Sequence, residues 1–476
     1  MSSKAISNLS SSELDNAKNI KTELVKFDYS KQRINEDSLG FLLEIPDELN
    51  IRESLDNLFK GDFQNPSENR NVSHTLYRSK SADDSFKSIF LERKKIKNFL
   101  EKISKDQNIK NIISISIGGS RQGAELLYEF QSNPGSVNVN FCSSYDLLEL
   151  KDVLSSCSQE ETIVLAVSKS FETSEILKNL DYLKSWFSEN SKLDFKDYLY
   201  GISSNSSAMT DYGIKESNQF KLLESLGGRY SIWSSVSLPS FINSDYENYL
   251  NFLEGARLAD QHTHSSPWIK NIPVMMALCG IFNSTALNIN NHGIFTYNFR
   301  LRSLTKYISQ LCMESNGKSV NFKNEKSPFP TSPLIWGGYG IEAQHSTFQW
   351  LMQGQTETSC DFIGLNNTTN DSVDSQEMLL SQVIAMSQGE EDRANPYKSI
   401  KGNNPCSVIQ LDSLCLKSLG FLIALYEHKV FIESLILGVD PFDQWGVQLG
   451  KRLALDIKKD KKILSDFFDA TFLPKY

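Results

Sequence analysis

Hydrophobic and polar positions fall into two textures along the chain. From residue 1 to about 100 the sequence is polar, with Ser-rich and charged tracts and few β-branched runs, and it reads as helical packing around a core that lies elsewhere. From "NIISISIGG" onward, short β-rich runs alternate with helical periods. After "TIVLAVSKS" (162–170), Ile176, Leu180, Leu183 and Phe187 recur at i, i+4, i+7 and i+11, the stripe of an amphipathic helix closing a strand–turn–helix unit. The alternation returns after residue 270. "SPLIWGGYG" runs into "QHSTFQWLMQG", then come "CDFIGL" and "CSVIQL", the last leading to a long helical run from Leu414. The expected architecture is α/β, with two sandwich halves built on parallel-sheet cores and flanking helices. The expected divisions are an N-terminal helical segment (1–100), a first α/β domain (101–255), a second (256–455) and a C-terminal helical tail (456–476).

Charge and cysteine content narrow the setting. The 49 Lys and Arg against 58 Asp and Glu give a net charge of −9, which argues against a general nucleic-acid surface while allowing a local basic pocket. The apolar stretches at 272–282 and 419–439 are too short, or carry Glu427, His428, Lys429 and Glu433, so no membrane span is expected. The N-terminus lacks the apolar core of a signal peptide, and cytoplasm is the default expectation. Seven scattered cysteines without a C-x-x-C pair indicate neither a disulfide framework nor a zinc ribbon, and read as buried thiols in a reducing compartment.

Two strand-to-helix junctions carry candidate chemistry. In "SISIGGSRQGAEL" (114–126) an apolar run breaks at Gly118–Gly119 and enters a helix, where free backbone N–H groups favour an anion. It departs from the dinucleotide pattern, because Ser120 stands where the second glycine of G-x-G-x-x-G belongs, and by itself the turn also admits a purely structural reading. In "SKSFETSE", Ser168, Lys169, Ser170 and Thr173 place hydroxyls beside one cation at a second junction. Two such turns on neighbouring strands converge at the carboxyl edge of a parallel sheet, and phosphate is the ligand that fits.

"SIGGS", "VSKSFETSE", "GGRYSIWSSVSLP" (227–239), "MESNGKS" (313–319), "AQHSTFQWLMQG" (343–354) and "DPFDQWGVQLGK" (440–451) together resemble the ordered motifs of the glucose-6-phosphate isomerase (phosphoglucose isomerase) family. "ENRNVSHTLYR" (68–78) resembles that family's N-terminal motif. The resemblance implies two sugar-isomerase (SIS) α/β sandwich domains and a homodimer with composite active sites. It also implies reversible conversion of glucose 6-phosphate to fructose 6-phosphate, a step of glycolysis and gluconeogenesis, without metal or organic cofactor.

The chemistry can be set beside those residues. Moving a proton between C1 and C2 of an open-chain sugar phosphate needs one base that removes it and returns it on the same face, and a carboxylate suits the task. Glu314 matches the family's base. His345, 31 residues on, matches the histidine of ring opening, and Lys451 the lysine that assists at the ring oxygen. Arg229 matches the cation that stabilises the enediolate. Gly119, Ser120, Ser168, Lys169, Ser170 and Thr173 match the phosphate-binding turns, while Gln310 and Gln444 match contacts to phosphate and sugar oxygens. Glu172 stands where threonine is common, and is expected to face outward, since a carboxylate aimed at a phosphate would repel it. His74, His262, His264, His292 and His428 have no matching catalytic position and read as structural. A sugar-phosphate-binding regulator would lack Glu314 or His345. A nucleotide-dependent oxidoreductase would need the turn that Ser120 spoils, although Asp146 lies at about the right distance for a ribose-binding acid.

Overall fold

The computed structural model describes residues 18–80, 85–131, 135–366, 373–465 and 468. The chain opens on two strands, β1 (Asn19–Lys21) and β2 (Val25–Lys31), which corrects the expectation of a wholly helical N-terminal segment. The reason is a period of two inside a charged tract: in "VKFDYSK", Val25, Phe27 and Tyr29 are buried while the residues between them are not.

Five strands form the first sheet: β3 (Asn111–Ser116), β4 (Asn138–Cys142), β5 (Thr162–Val167), β6 (Leu199–Ser203) and β7 (Gln219–Lys221). They are all parallel, in the order β4-β3-β5-β6-β7. Every residue of β3 and β5 is buried, as expected of central strands covered on both faces. Helices α1 (Gly119–Gln131) and α2 (Ser174–Ser188) follow β3 and β5. In α2, Ile176, Leu180, Leu183 and Phe187 are all buried, as their spacing requires.

The second sheet is mixed. Strands β8 (Asn291–Thr296), β9 (Leu334–Tyr339), β10 (Ser359–Leu365) and β11 (Cys406–Leu411) are parallel, and β2 joins β11 antiparallel with Phe27 opposite Ile409, giving β1-β2-β11-β10-β8-β9. The two sheets share one hydrophobic core, to which Ile112 and Ile163 contribute from the first and Ile294, Ile363 and Ile409 from the second.

Helix α3 (Tyr246–Ser265) crosses between the halves, α4 (Leu304–Asn316) follows β8, and α5 (Leu416–Leu437) is buried almost all round. The buried charges on α5 are tolerated because each is paired: Glu427 with Arg78 and Trp233, His428 with Asp260, and Lys429 with Glu433 at 2.7 Å. Five cysteines are buried as expected, Cys157 is partly so, and Cys415 is exposed at the start of α5, where its sulfur accepts from the Ser418 N–H. The first seventeen residues, and 466–467 and 469–476 of the expected C-terminal tail, lie outside the described residues.

Candidate active site

Helix α4 buries Leu304, Ile308, Leu311, Cys312 and Ser315, which leaves Gln310 and Glu314, one turn apart, on its half-exposed face. Gln310 Nε2 donates to Glu314 Oε2 at 3.0 Å, so the amide expected at substrate oxygens also orients the carboxylate. Among the described residues, the Glu314 carboxylate accepts a hydrogen bond at Oε2 and none at Oε1.

Arg229, 2 % exposed, stands in a 3-10 turn (Gly228–Trp233) above this helix. Its Nε donates to Ser315 Oγ at 2.6 Å, Nη1 to Gln444 Oε1 at 2.9 Å, and Nη2 to the carbonyls of Asp443 (3.0 Å) and Pro441. Ser315 Oγ also meets the Tyr230 hydroxyl at 2.9 Å. Four of the five guanidinium N–H groups are thereby engaged, and the remaining one is on Nη1, 3.6 Å from Glu314 Oε2. At that distance the cation faces the carboxylate without tying up its lone pairs.

The opening turn lies against the same site. A Cβ on Gly118, whose φ is +58°, would lie 3.5 Å from Gln310 Nε2, and one on Gly119 would collide with the backbone of Gly228 and Arg229 at 2.5 and 2.6 Å. The glycines expected to admit a ligand also let the first sheet's edge touch the arginine turn. Ser120 is half-buried at the start of α1. Arg121 is held away by Glu125 and Glu149.

Two grooves meet at Gln444. One is lined by Gln310, Glu314, Lys318, Asp443 and Val447, the other by Arg70, Lys169, Ser170, Asn205 and Lys221, with Glu68 and Glu224 also present. Burial, and then the nearby Arg70, lower the Lys169 ammonium to about 8. Ser168 is buried. Its hydroxyl meets Thr173 Oγ1 at 3.1 Å and accepts from the Phe171 N–H, so Thr173 begins α2 without capping it. Glu172 is exposed, as expected.

His345 and Lys451 stand apart. His345 is exposed at the end of a short helix (Gly340–Gln344) that follows β9, and lines neither groove. Lys451 is exposed on α6 (Gln448–Lys459), a helix with no buried residue, one turn beyond the groove-lining Val447. The five other histidines have structural contacts; His262 Nε2, for instance, accepts from the Ile272 N–H, and His292 meets Asp361. Ser315, Lys318 and Asp443 lay inside the recognised motifs but drew no role, because their partners are distant in sequence. Among the described residues no His/Cys/Asp/Glu group is placed to hold a metal ion, and no helix is long and apolar enough to cross a membrane.

Paired α/β layers with parallel-sheet cores, meeting at a cleft that sets a carboxylate beside a fixed guanidinium, define the sugar-isomerase class of fold. Residues 28–471 match the phosphoglucose isomerase family, and the chain belongs to it. It is 34 % identical to the glucose-6-phosphate isomerase of Campylobacter jejuni subsp. doylei, over 92 % of this chain and 87 % of the relative. It is 36 % identical to that of Alteromonas mediterranea, over 90 % and 85 %. Among solved structures, a glucose-6-phosphate isomerase from Chlamydia trachomatis superposes with a TM-score of 0.88 at 29 % identity, covering 99 % of this chain and 94 % of the other.

Proposed function

We infer that Glu314 is the base and Arg229 the charge-stabilising group of this enzyme, which as a phosphoglucose isomerase interconverts D-glucose 6-phosphate and D-fructose 6-phosphate. The observation that carries the assignment is the geometry between them: the Arg229 guanidinium is held at four N–H groups and faces Glu314 with the fifth. Glu314 Oε1 takes the proton from the carbon beside the carbonyl and returns it to the neighbouring carbon on the same face. Arg229 stabilises the enediolate between those steps without having to reorganise.

Gln444 joins the two grooves, so a sugar phosphate spanning them sets its reacting carbons at Glu314 and its phosphate at Lys169 and Ser170, with Ser168, Thr173 and the Gly119–Ser120 turn alongside. Gln310 and Gln444 contact substrate oxygens. Ring opening falls to His345 and Lys451.

Because His345 is exposed away from the groove, it serves the site of a second copy of this chain. The open α6, with Leu449 and Leu453 on one face at 54 % and 42 % exposure, supports a homodimer that covers it. Free thiols and a phosphorylated substrate fit the cytoplasm.

The test is isomerisation in heavy water by the purified protein, without added cofactor. Wild type converts glucose 6-phosphate and carries deuterium into recovered substrate at C2. Glu314→Gln binds the sugar phosphate but does neither, since an amide cannot take the proton. Exchange at the wild-type rate in that variant removes Glu314 as the base.

A further inference from the structure

We propose that Asp443 is a positioning residue, clamping through Lys318 and Ser67 the segment that carries Gln444 and leads into the helix of Lys451. The inference rests on the reading of the cleft above. Asp443 is 6 % exposed and both its carboxylate oxygens are in use: Oδ1 pairs with Lys318 Nζ at 2.7 Å, and Oδ2 accepts from Ser67 Oγ. Its carbonyl accepts from Lys318 Nζ at 2.8 Å and from Arg229 Nη2 at 3.0 Å. One residue therefore joins Ser67, which directly precedes the N-terminal motif, the arginine turn, and Lys318 just past the end of the base helix.

Lys318 lines the groove and looks at first like a cation for the substrate. Its third contact, however, is the Glu314 carbonyl at 3.0 Å, so all three ammonium N–H groups are spent on protein oxygens. Its charge holds the cleft's shape. Ser67 is the second jaw: its N–H donates to Asp440 Oδ2 at 3.2 Å, and its Oγ accepts from Trp445 Nε1 at 3.1 Å. The clamp matters because α6 buries none of its residues, so the direction in which Lys451 leaves the cleft is set by the 440–447 segment.

The test combines steady-state kinetics with amide hydrogen exchange on Asp443→Asn, Lys318→Gln and the double variant. Each single variant is expected to lower kcat by about ten-fold or more, as a shift of a fraction of an ångström at reacting groups does. KM should change less than about three-fold, because the phosphate groove is built from other residues. The double variant should be no slower than the worse single one, since both break the same link. Exchange should quicken across 440–459 while β3 and β5 keep their wild-type protection, and Lys318→Arg should restore part of kcat.

Losses that multiply in the double variant, or wild-type exchange across 440–459 in a slow Asp443→Asn protein, overturn the clamp. The exchange readout does not depend on which group is base or acid. If Glu314→Gln keeps exchanging the C2 proton, the catalytic assignment fails, while faster exchange in Asp443→Asn still supports the clamp.

Discussion

Arg229 Nη1 stands 3.6 Å from Glu314 Oε2, within ion-pair range and beyond a hydrogen bond. The separation follows from the other anchors of the guanidinium, which lie on two chain segments: Ser315 on α4, and the Pro441 and Asp443 carbonyls with the Gln444 side chain on the 440–447 segment. A lysine at 229 keeps the charge but has no planar fork to reach them together. Arg229→Lys should lower kcat by about 10²-fold or more, the scale of one lost preorganised donor, or about 3 kcal/mol in the barrier. Near-normal turnover in that variant, measured at saturating fructose 6-phosphate, would remove Arg229 from the mechanism.

Lys169 ties substrate capture to pH. Its ammonium is lowered to about 8, by burial first and by Arg70 second. Above that pH the free enzyme holds a neutral amine in the proposed phosphate groove, so kcat/KM should fall through an alkaline limb near pH 8. A bound phosphate dianion favours the ammonium, so kcat should keep a flatter profile. In Lys169→Arg the limb should disappear from the accessible range, since guanidinium stays charged. In Arg70→Gln it should move upward, and an unmoved limb would assign it to another group.

The fold was most legible where periodicity was clean. The buried stripe of α2 and the strand "TIVLAV" could be read directly, because each obeys a single period over several repeats. Strand β2 was hidden because its outward positions, Lys26, Asp28 and Ser30, gave the segment the polar look of its surroundings. At the site, Glu314 and Arg229 stood in motifs whose order along the chain carries information. The roles of Ser315 and Asp443 reside in partners such as Arg229, 86 residues from Ser315, and Ser67, 376 residues from Asp443, and no local pattern encodes them. His345 was legible by motif but not by place, since the single chain leaves it exposed.

Glu92 is a buried acid outside the site, and it should shape stability. Burial pushes its carboxyl up to about 7, with the Ser235 N–H donating to Oε1 at 2.8 Å as partial compensation. Between about pH 4.5 and 7 the folded state binds more protons than the unfolded state at this group, so stability falls as pH rises through that window. The loss is complete above about pH 7 and amounts to about 3 kcal/mol. Glu92→Gln fixes the neutral form and should remove this group's share of the slope. Denaturant titrations at pH 5 and pH 8 should differ less in the variant than in wild type, and an equal difference would show that Glu92 does not titrate in this window.

The proposed sharing of the site between two copies predicts complementation. If His345 serves its neighbour while Glu314 and Arg229 serve their own chain, a two-fold dimer contains two equivalent composite sites. Glu314→Gln and His345→Ala homodimers are then both inactive. In a mixed dimer, one site combines the missing base with the missing histidine, and the other combines an intact Glu314 with the intact His345 of the Glu314→Gln chain. Half of the sites in each mixed dimer are restored. Unfolding the two variants together and refolding them should recover clear activity, up to about a quarter of wild type when mixed dimers form at the statistical proportion of one half. Mixing the folded proteins should recover it only as fast as subunits exchange. Mixed dimers identified by native mass spectrometry but no more active than their parents would mean that His345 acts within its own chain, and that the path from its exposed position to Glu314 runs through a movement of that chain.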